Sequence, residues 1–184
     1  MLCGLAVVDA IEQETGLQVG LKWPNDIVLD GAKLGGILAD ASCTEGALAY
    51  LVVGLGLNVN LDPRRLAEKP VVPATSLSHA LGRSVVRLSL LRGLLRAIDA
   101  RYGALRQGWS PHKEWAAHLT TLGRPVTVTA SGERLEGTAG GVDEDGALLV
   151  QVEDGRMERV LAGDVTLRNV PDWQDALASD TMPT

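Results

Sequence analysis

The sequence has 184 residues, 46% hydrophobic and 22% charged, enough for one large domain or for one modest domain and a small one. A formal net charge of -6 excludes a broad cationic surface of the kind that holds nucleic-acid backbones, though not a small cationic pocket. Phe is absent, so Leu, Val, Ile and Ala must fill the core, and Cys3 and Cys43, without a CxxC pair, read as reduced thiols. No apolar run reaches the roughly eighteen residues of a membrane span, and the first residues lack the cationic start of a secretory signal. The expectation is a cytoplasmic protein without a membrane partner.

In chain order, Leu2, Leu5, Val8 and Ile11 predict a helix over residues 1–15, stopped at Gly16. It opens without a cap, as if entered partway along. Val19, Leu21 and Trp23 alternate as in a half-buried strand, Pro24-Asn25-Asp26 is a turn, and Asp30-Gly31 is a hairpin signal between Ile27-Val28-Leu29 and a returning strand from Leu34 to Ala39. Thr44-Glu45-Gly46 turns again. Ala47 to Val59 is nearly uncharged, so both faces of that strand are expected to be covered.

Residues 60–75, with Pro63, Pro70 and Pro73, predict a long polar loop, and Thr75-Ser76 can cap a short helix after it. Leu88, Leu91, Leu95, Ile98 and Tyr102 recur at helical spacing and mark the expected inner face of an amphipathic helix over 88–105. Pro111 to Thr121 adds a short helix. After Gly123, five short strands separated by Ser131-Gly132, Asp143-Glu144-Asp145-Gly146 and Asp154-Gly155 suggest a small barrel of SH3-like size. The class is α+β, with expected units at 1–122 and 123–170 and a tail over 171–184.

Chemistry concentrates between Lys22 and Leu38. Lys33 follows the hairpin, and Gly35-Gly36 comes next inside a strand, where glycine is unfavourable unless a ligand or another backbone must come close. A Lys beside bare backbone suits an anion, and Asp26 is a carboxylate able to orient an amine. Only four of the seventeen basic residues are Lys, and Lys22 and Lys33 both fall in this segment. Taken alone, the same residues also read as a surface hairpin with solvated lysines and a packing pair of glycines.

Lys22-Trp23-Pro24-Asn25-Asp26 followed by Lys33-Leu34-Gly35-Gly36-Ile37-Leu38 resembles the central signature of the biotin–protein ligases. Val53-Gly54-Leu55-Gly56-Leu57-Asn58-Val59-Asn60 resembles the next block of that family. Gly140 to Val150 and Gly163 to Arg168 resemble its small carboxyl-terminal domain, so the likeness runs over about residues 1–169. It implies a partial class II synthetase-like catalytic domain, a mixed sheet with helices, followed by the SH3-like β-barrel. It also implies ATP-dependent attachment of biotin to a lysine of a carrier protein, the acetyl-CoA carboxylase carrier domain, through biotinyl-5′-AMP. Biotin and ATP are then substrates, with Mg²⁺ accompanying ATP.

By the same resemblance, Lys33 contacts the region where carboxylate meets phosphate, and Gly36, Ile37 and Leu38 line the biotin pocket. Asn58 meets the nucleotide end, Asp26 places the acceptor lysine, and Arg168 reaches back from the small domain. The family's Gly-Arg-Gly-Arg-x-Gly-Arg-x-Trp loop is not found, so amino-terminal truncation is expected, with one wall of the site upstream. No winged-helix segment is found, so no nucleic-acid partner is expected, and a homodimer is an open expectation. The competing readings are a catalytically incomplete binding or interaction module, and a lipoate ligase relative.

Other candidates are plainer. His79, His112 and His118 lack metal-ligand spacing, and no metal site is expected. Asp143-Glu144-Asp145 reads as a solvated turn, Arg64 and Arg65 as loop charges, and Trp109 and Trp115 as packing residues.

Overall fold

The computed structural model describes residues 1–44, 47–65, 72–130 and 132–167. Helix α1 (Leu2–Thr15) buries Leu5, Val7, Val8, Ala10 and Ile11, and ends where Gly16, at φ 76°, donates its N–H to the Glu12 carbonyl. Strands β1 (Gly20–Lys22), β2 (Asp26–Leu29), β3 (Ala32–Thr44) and β4 (Ala47–Leu57) follow and lie side by side in that order. Every pairing among them is antiparallel, where a mixed sheet was expected. Parallel pairing is confined to isolated bridges, Leu21 with Leu119 and Lys33 with Ala74.

The β2–β3 hairpin turns on Asp30 and Gly31, at φ 51° and 77°, the doubly left-handed geometry that the Asp-Gly pair signals. The turn foreseen at Thr44-Glu45-Gly46 lies largely outside the described residues. Strand β3 runs five residues beyond the predicted Ala39 and forms a long ribbon with β4. Leu34 near its start is fully buried, whereas Leu48, Tyr50, Leu51, Val52 and Val53 are exposed. The expected cover on both faces of Ala47 to Val59 is therefore missing along residues 47–53 among the described elements, whereas Leu55, Leu57 and Val59 pack partly buried against the core: hydrophobic sequence states a demand for cover that is met at one end alone.

Helix α2 (Leu77–Leu81) is capped by Ser76, whose hydroxyl accepts the His79 N–H at 3.1 Å. Helix α3 (Arg87–Arg106) packs on α1, but not through the predicted face: Leu88, Leu91, Leu95 and Tyr102 are exposed. The inner face is Leu90, Gly93, Leu94 and Ala97, ending at Arg101. A Cβ on Gly93 would stand 3.9 Å from the Ala10 Cβ, so small residues let the helices approach. Arg101 locks the choice by binding Asp9 at 2.6 Å and Glu114 of α4 (His112–Ala117) at 2.7 Å.

The small β module comprises β5 (Pro125–Ala130), β6 (Glu133–Val142), β7 (Leu148–Gln151), β8 (Met157–Val160) and β9 (Asp164–Leu167), in the order β8-β7-β6-β5-β9. Val126, Val128, Ala139, Leu148, Val150 and Val165 fill its inside. Among the described residues β8 and β9 remain the sheet's edges, so it curls without closing the expected barrel. The tail over 171–184 lies outside the described residues. Among the described residues no helix is long and apolar enough to cross a membrane.

Candidate active site at the second and third strands

The Pro24-Asn25-Asp26 corner is fastened to β3. Asn25 donates its side-chain amide to the Ile37 carbonyl at 2.8 Å, and the Ile37 N–H returns a bond to the Asn25 carbonyl at 2.9 Å. Asp26 then opens β2 opposite Gly36, with a bulge between Ile27 and Val28 that shifts the register toward Lys33. Lys33 Nζ lies 2.5 Å from Asp26 Oδ1, with the Lys side chain 42% exposed and the Asp side chain 18% exposed. A pair this open contributes only about 0–1 kcal/mol to stability, so its placement is not explained by holding the fold together.

The two glycines have separate reasons. A Cβ on Gly35 would fall 2.3 Å from the Gly56 carbonyl, so the β3–β4 backbones could not meet there. A Cβ on Gly36 would stand 3.6 Å from Asp26 Oδ1 and 3.8 Å from Lys33 Cε, so glycine leaves the floor beside the ion pair bare. Lys33, Asp26, Gly36, Ile37 and Leu38 together line an open cavity of about 430 Å³. A second cavity, about 460 Å³, lies on the other side of the same corner, between Lys22, Asn25 and Leu38 and the small module's Leu161 and Ala162.

Not every predicted site residue joins them. Asn58 is not among the residues lining the Lys33 cavity. Its side-chain amide donates to the Thr75 carbonyl at 3.1 Å and its backbone N–H to the Leu34 carbonyl at 2.9 Å, so it closes the base of the 60–75 loop. Asn60 clamps Val85 in the same manner, at 2.9 Å in both directions. Arg168 lies outside the described residues. Residues 63–65 of the predicted loop form a short 3₁₀ turn, and residues 66–71 lie outside the description. Arg64 and Arg65 both bind Asp62, and the Arg64 hydrogen bond holds the Asp62 carboxyl below its ordinary range.

Among the described residues no group of three or more His, Cys, Asp or Glu could hold a metal ion, and Cys3 and Cys43 are unpaired. Three further ties bring together residues far apart in the sequence. Lys33 donates its backbone N–H to the Pro73 carbonyl at 2.7 Å and accepts from the Thr75 N–H at 2.9 Å. Trp23 reaches Gly146 and Thr121. Asp143, read as part of a solvated turn, is bound by Arg159, which holds its carboxyl below the ordinary range. These partners are distant in sequence, and only the acidic turn and its Arg had a local signal.

Residues 1–58 match the biotin/lipoate A/B protein ligase family, and residues 121–168 match the biotin protein ligase C terminal domain. A biotin–[acetyl-CoA-carboxylase] ligase of Paracoccus denitrificans is 30% identical over 84% of this chain and 67% of its own length. The chain belongs to the biotin–protein ligase family. Two other members extend the likeness: the bifunctional ligase/repressor BirA of Bacillus subtilis is 31% identical over 91% of this chain, and the biotin–[acetyl-CoA-carboxylase] ligase of Mycobacterium tuberculosis is 35% identical over 90%. The chain spans about half the length of the Bacillus relative, 52%, and 60% of the mycobacterial one. The biotin protein ligase of Aquifex aeolicus, solved in complex with biotin and ATP, superposes with a TM-score of 0.75 at 27% identity, over 91% of this chain and 69% of that one.

Proposed function

We propose that this chain carries residues of a site that joins biotin to ATP and then passes biotin to a lysine of a carrier protein, the carrier domain of acetyl-CoA carboxylase. The observation that carries the proposal is the Lys33–Asp26 pair above the bare Gly36 floor, in a member of this ligase family. In the first step a carboxylate oxygen of biotin bonds to the α-phosphorus of ATP and pyrophosphate leaves. Two anions must approach, and the Lys33 ammonium offsets their charge. In the second step the carrier's lysine amine bonds to the acyl carbon, AMP leaves, and the amine gives up a proton. Lys33 stabilises the departing AMP, and Asp26 orients the amine.

Ile37 and Leu38 offer apolar contact and Gly36 its backbone to the biotin end. Roles for Asn58 and Arg168 at the nucleotide remain part of the proposal. Asn58 would act through the Thr75 segment that its amide holds. Mg²⁺ would arrive with ATP, and none of the described residues is assigned to hold it. We place the boundary between the catalytic and small units near residue 122. Free Cys3 and Cys43 go with a cytoplasmic location, and the net charge of -6 goes with a segment that does not itself hold nucleic acid. The uncovered ribbon goes with self-association into a homodimer.

The test mixes the purified chain with biotin, ATP and a carrier domain and follows labelled carrier. ATP-dependent labelling that Lys33→Ala removes, with the fold intact, is the expected result. Labelling unchanged by Lys33→Ala takes Lys33 out of the chemistry. Biotin binding without transfer favours the incomplete-module reading, and lipoate outcompeting biotin favours the lipoate relative.

A further inference from the structure

The corner that carries Asp26 is held from behind, from the small module. Trp23, directly before Pro24-Asn25-Asp26, is 1% exposed, and its indole N–H donates to the Gly146 carbonyl at 2.9 Å. Its backbone N–H donates to the Thr121 hydroxyl at 3.1 Å, and Thr121 is fully buried. The residues alongside are stitched in the same direction. Leu21 donates to the His118 carbonyl and Thr120 donates to the Leu21 carbonyl, both at 2.8 Å.

The receiving carbonyl is itself fixed. Gly146 donates its N–H to the Asp143 carbonyl at 2.9 Å. Asp143 Oδ1 accepts the N–H groups of Asp145 and Ala147, at 3.0 and 2.9 Å. Arg159 on β8 then binds Asp143 at 2.5 Å and Asp145 at 2.7 Å. A continuous relay therefore runs from Arg159 through the acidic turn and Gly146 to Trp23, and on to the Asn25–Ile37 clamp beside Asp26. A buried indole N–H without an acceptor is disfavoured, so this bond selects one seating of the small module against the corner.

Resting on the proposed role of Lys33 and Asp26, we propose that Trp23 is a positioning residue: through Gly146 it makes the small module a backstop that fixes the Asn25-Asp26 corner and with it the reach from Asp26 to Lys33. The module thereby shapes the site without a side chain in the Lys33 cavity.

Amide hydrogen exchange in the full chain tests this. Trp23→Phe keeps a buried ring and removes the N–H. The Ile37 amide, which bonds to Asn25, should then exchange about tenfold faster, while the β5–β6 amides keep their rates, a local effect of the size one hydrogen bond gives. Asp143→Asn, in the half-buried acidic turn farther along the relay, should raise exchange at Ile37 by less, and Thr121→Ser, which keeps a hydroxyl, should leave it unchanged. Equal acceleration in both sheets, or an unchanged Ile37 amide, would overturn the proposal. Where Trp23→Phe does not fold, Asp143→Asn decides: a faster Ile37 amide supports the relay and an unchanged one overturns it. In carrier labelling, Trp23→Phe should lower kcat about fivefold with KM for biotin little changed, the mark of a group placed for the reacting state. If the wild-type chain labels no carrier, the proposed reaction fails, and the exchange rates still judge the brace.

Discussion

The two ends of the β3–β4 hairpin are built from similar residues and live in different surroundings. At the end beside β2, Leu34 is fully buried, Gly35 lies against the Gly56 carbonyl, and Ile37 is clamped by Asn25. At the far end, Tyr50 and Val52 project on one face and Leu51 and Val53 on the other, with Leu48 past a bulge, all exposed. Backbone pairing runs along both, shifted in register by one bulge beside Ser42 and Cys43, so a lack of strand partners does not distinguish them. The difference lies in the neighbours: at one end β2 pairs beside β3 and Leu34, Leu55 and Leu57 pack into the buried core, and no described element covers the other end. Apolar composition thus reports what a strand requires, and neighbours decide whether the requirement is met.

The glycines should separate the ends most sharply. Gly35→Val pushes a side chain into the Gly56 carbonyl and should destabilise the chain by about 3 kcal/mol or more. Gly54→Val, whose Cβ would find its nearest neighbour at 3.7 Å, should shift stability by less than about 1 kcal/mol. Urea unfolding of both variants measures the contrast, and equal losses would break it. Adjacent leucines on α3 repeat the comparison in a helix. Leu90→Ala, at 4% exposure, should cost about 2–4 kcal/mol. Leu91→Ala, at 49% exposure, should cost under about 0.5 kcal/mol.

The far end should reveal itself in association before stability. Exposed apolar ribbon and an open strand edge favour self-association, so light scattering should find the chain larger than a monomer. Tyr50→Lys with Val52→Lys should lower that mass while moving stability by about 0.5 kcal/mol or less. A wild-type monomer at high concentration would contradict the expectation. The smallest effect concerns acid. Because Arg159 lowers the folded Asp143 pKa, the contribution of this pair is present above the ordinary carboxylate value, about 4, and is lost as pH falls through the folded value. The small module should lose stability below about pH 4, and Asp143→Asn should flatten that part of the melting-temperature profile against pH.

Much of this was legible locally. The hairpin at Asp30-Gly31, the stop at Gly16, the Ser76 cap and the strands of the small module follow from turn chemistry and period. Lys33, Asp26 and Gly36 were singled out as well, but taken alone they also read as a surface hairpin with a packing pair of glycines, and it was the resemblance to the ligase family that favoured a site. What failed needed partners. The stripe through Leu88, Leu91 and Leu95 is the stronger hydrophobic pattern on α3. The helix nevertheless turns Leu90, Gly93 and Ala97 inward, with Leu90 buried, because small residues allow a close approach to Ala10 and Arg101 finds Asp9 and Glu114. Asn58 offered a polar side chain near a glycine-rich strand. Nothing local said that its amide would be spent on Thr75.

That use of Asn58 bears on how this fold can change over generations. With Lys33 bonded through its backbone to Pro73 and Thr75, and Asn58 bonded to Thr75, the stretch between Asn58 and Pro73 hangs from a closed neck. Insertions inside such a neck cost mainly chain entropy, about 0.6 kcal/mol for each doubling of length, and leave the lysine where it is. The stretch is therefore the place where lineages can try new lengths and compositions while the Lys33 backbone keeps its position.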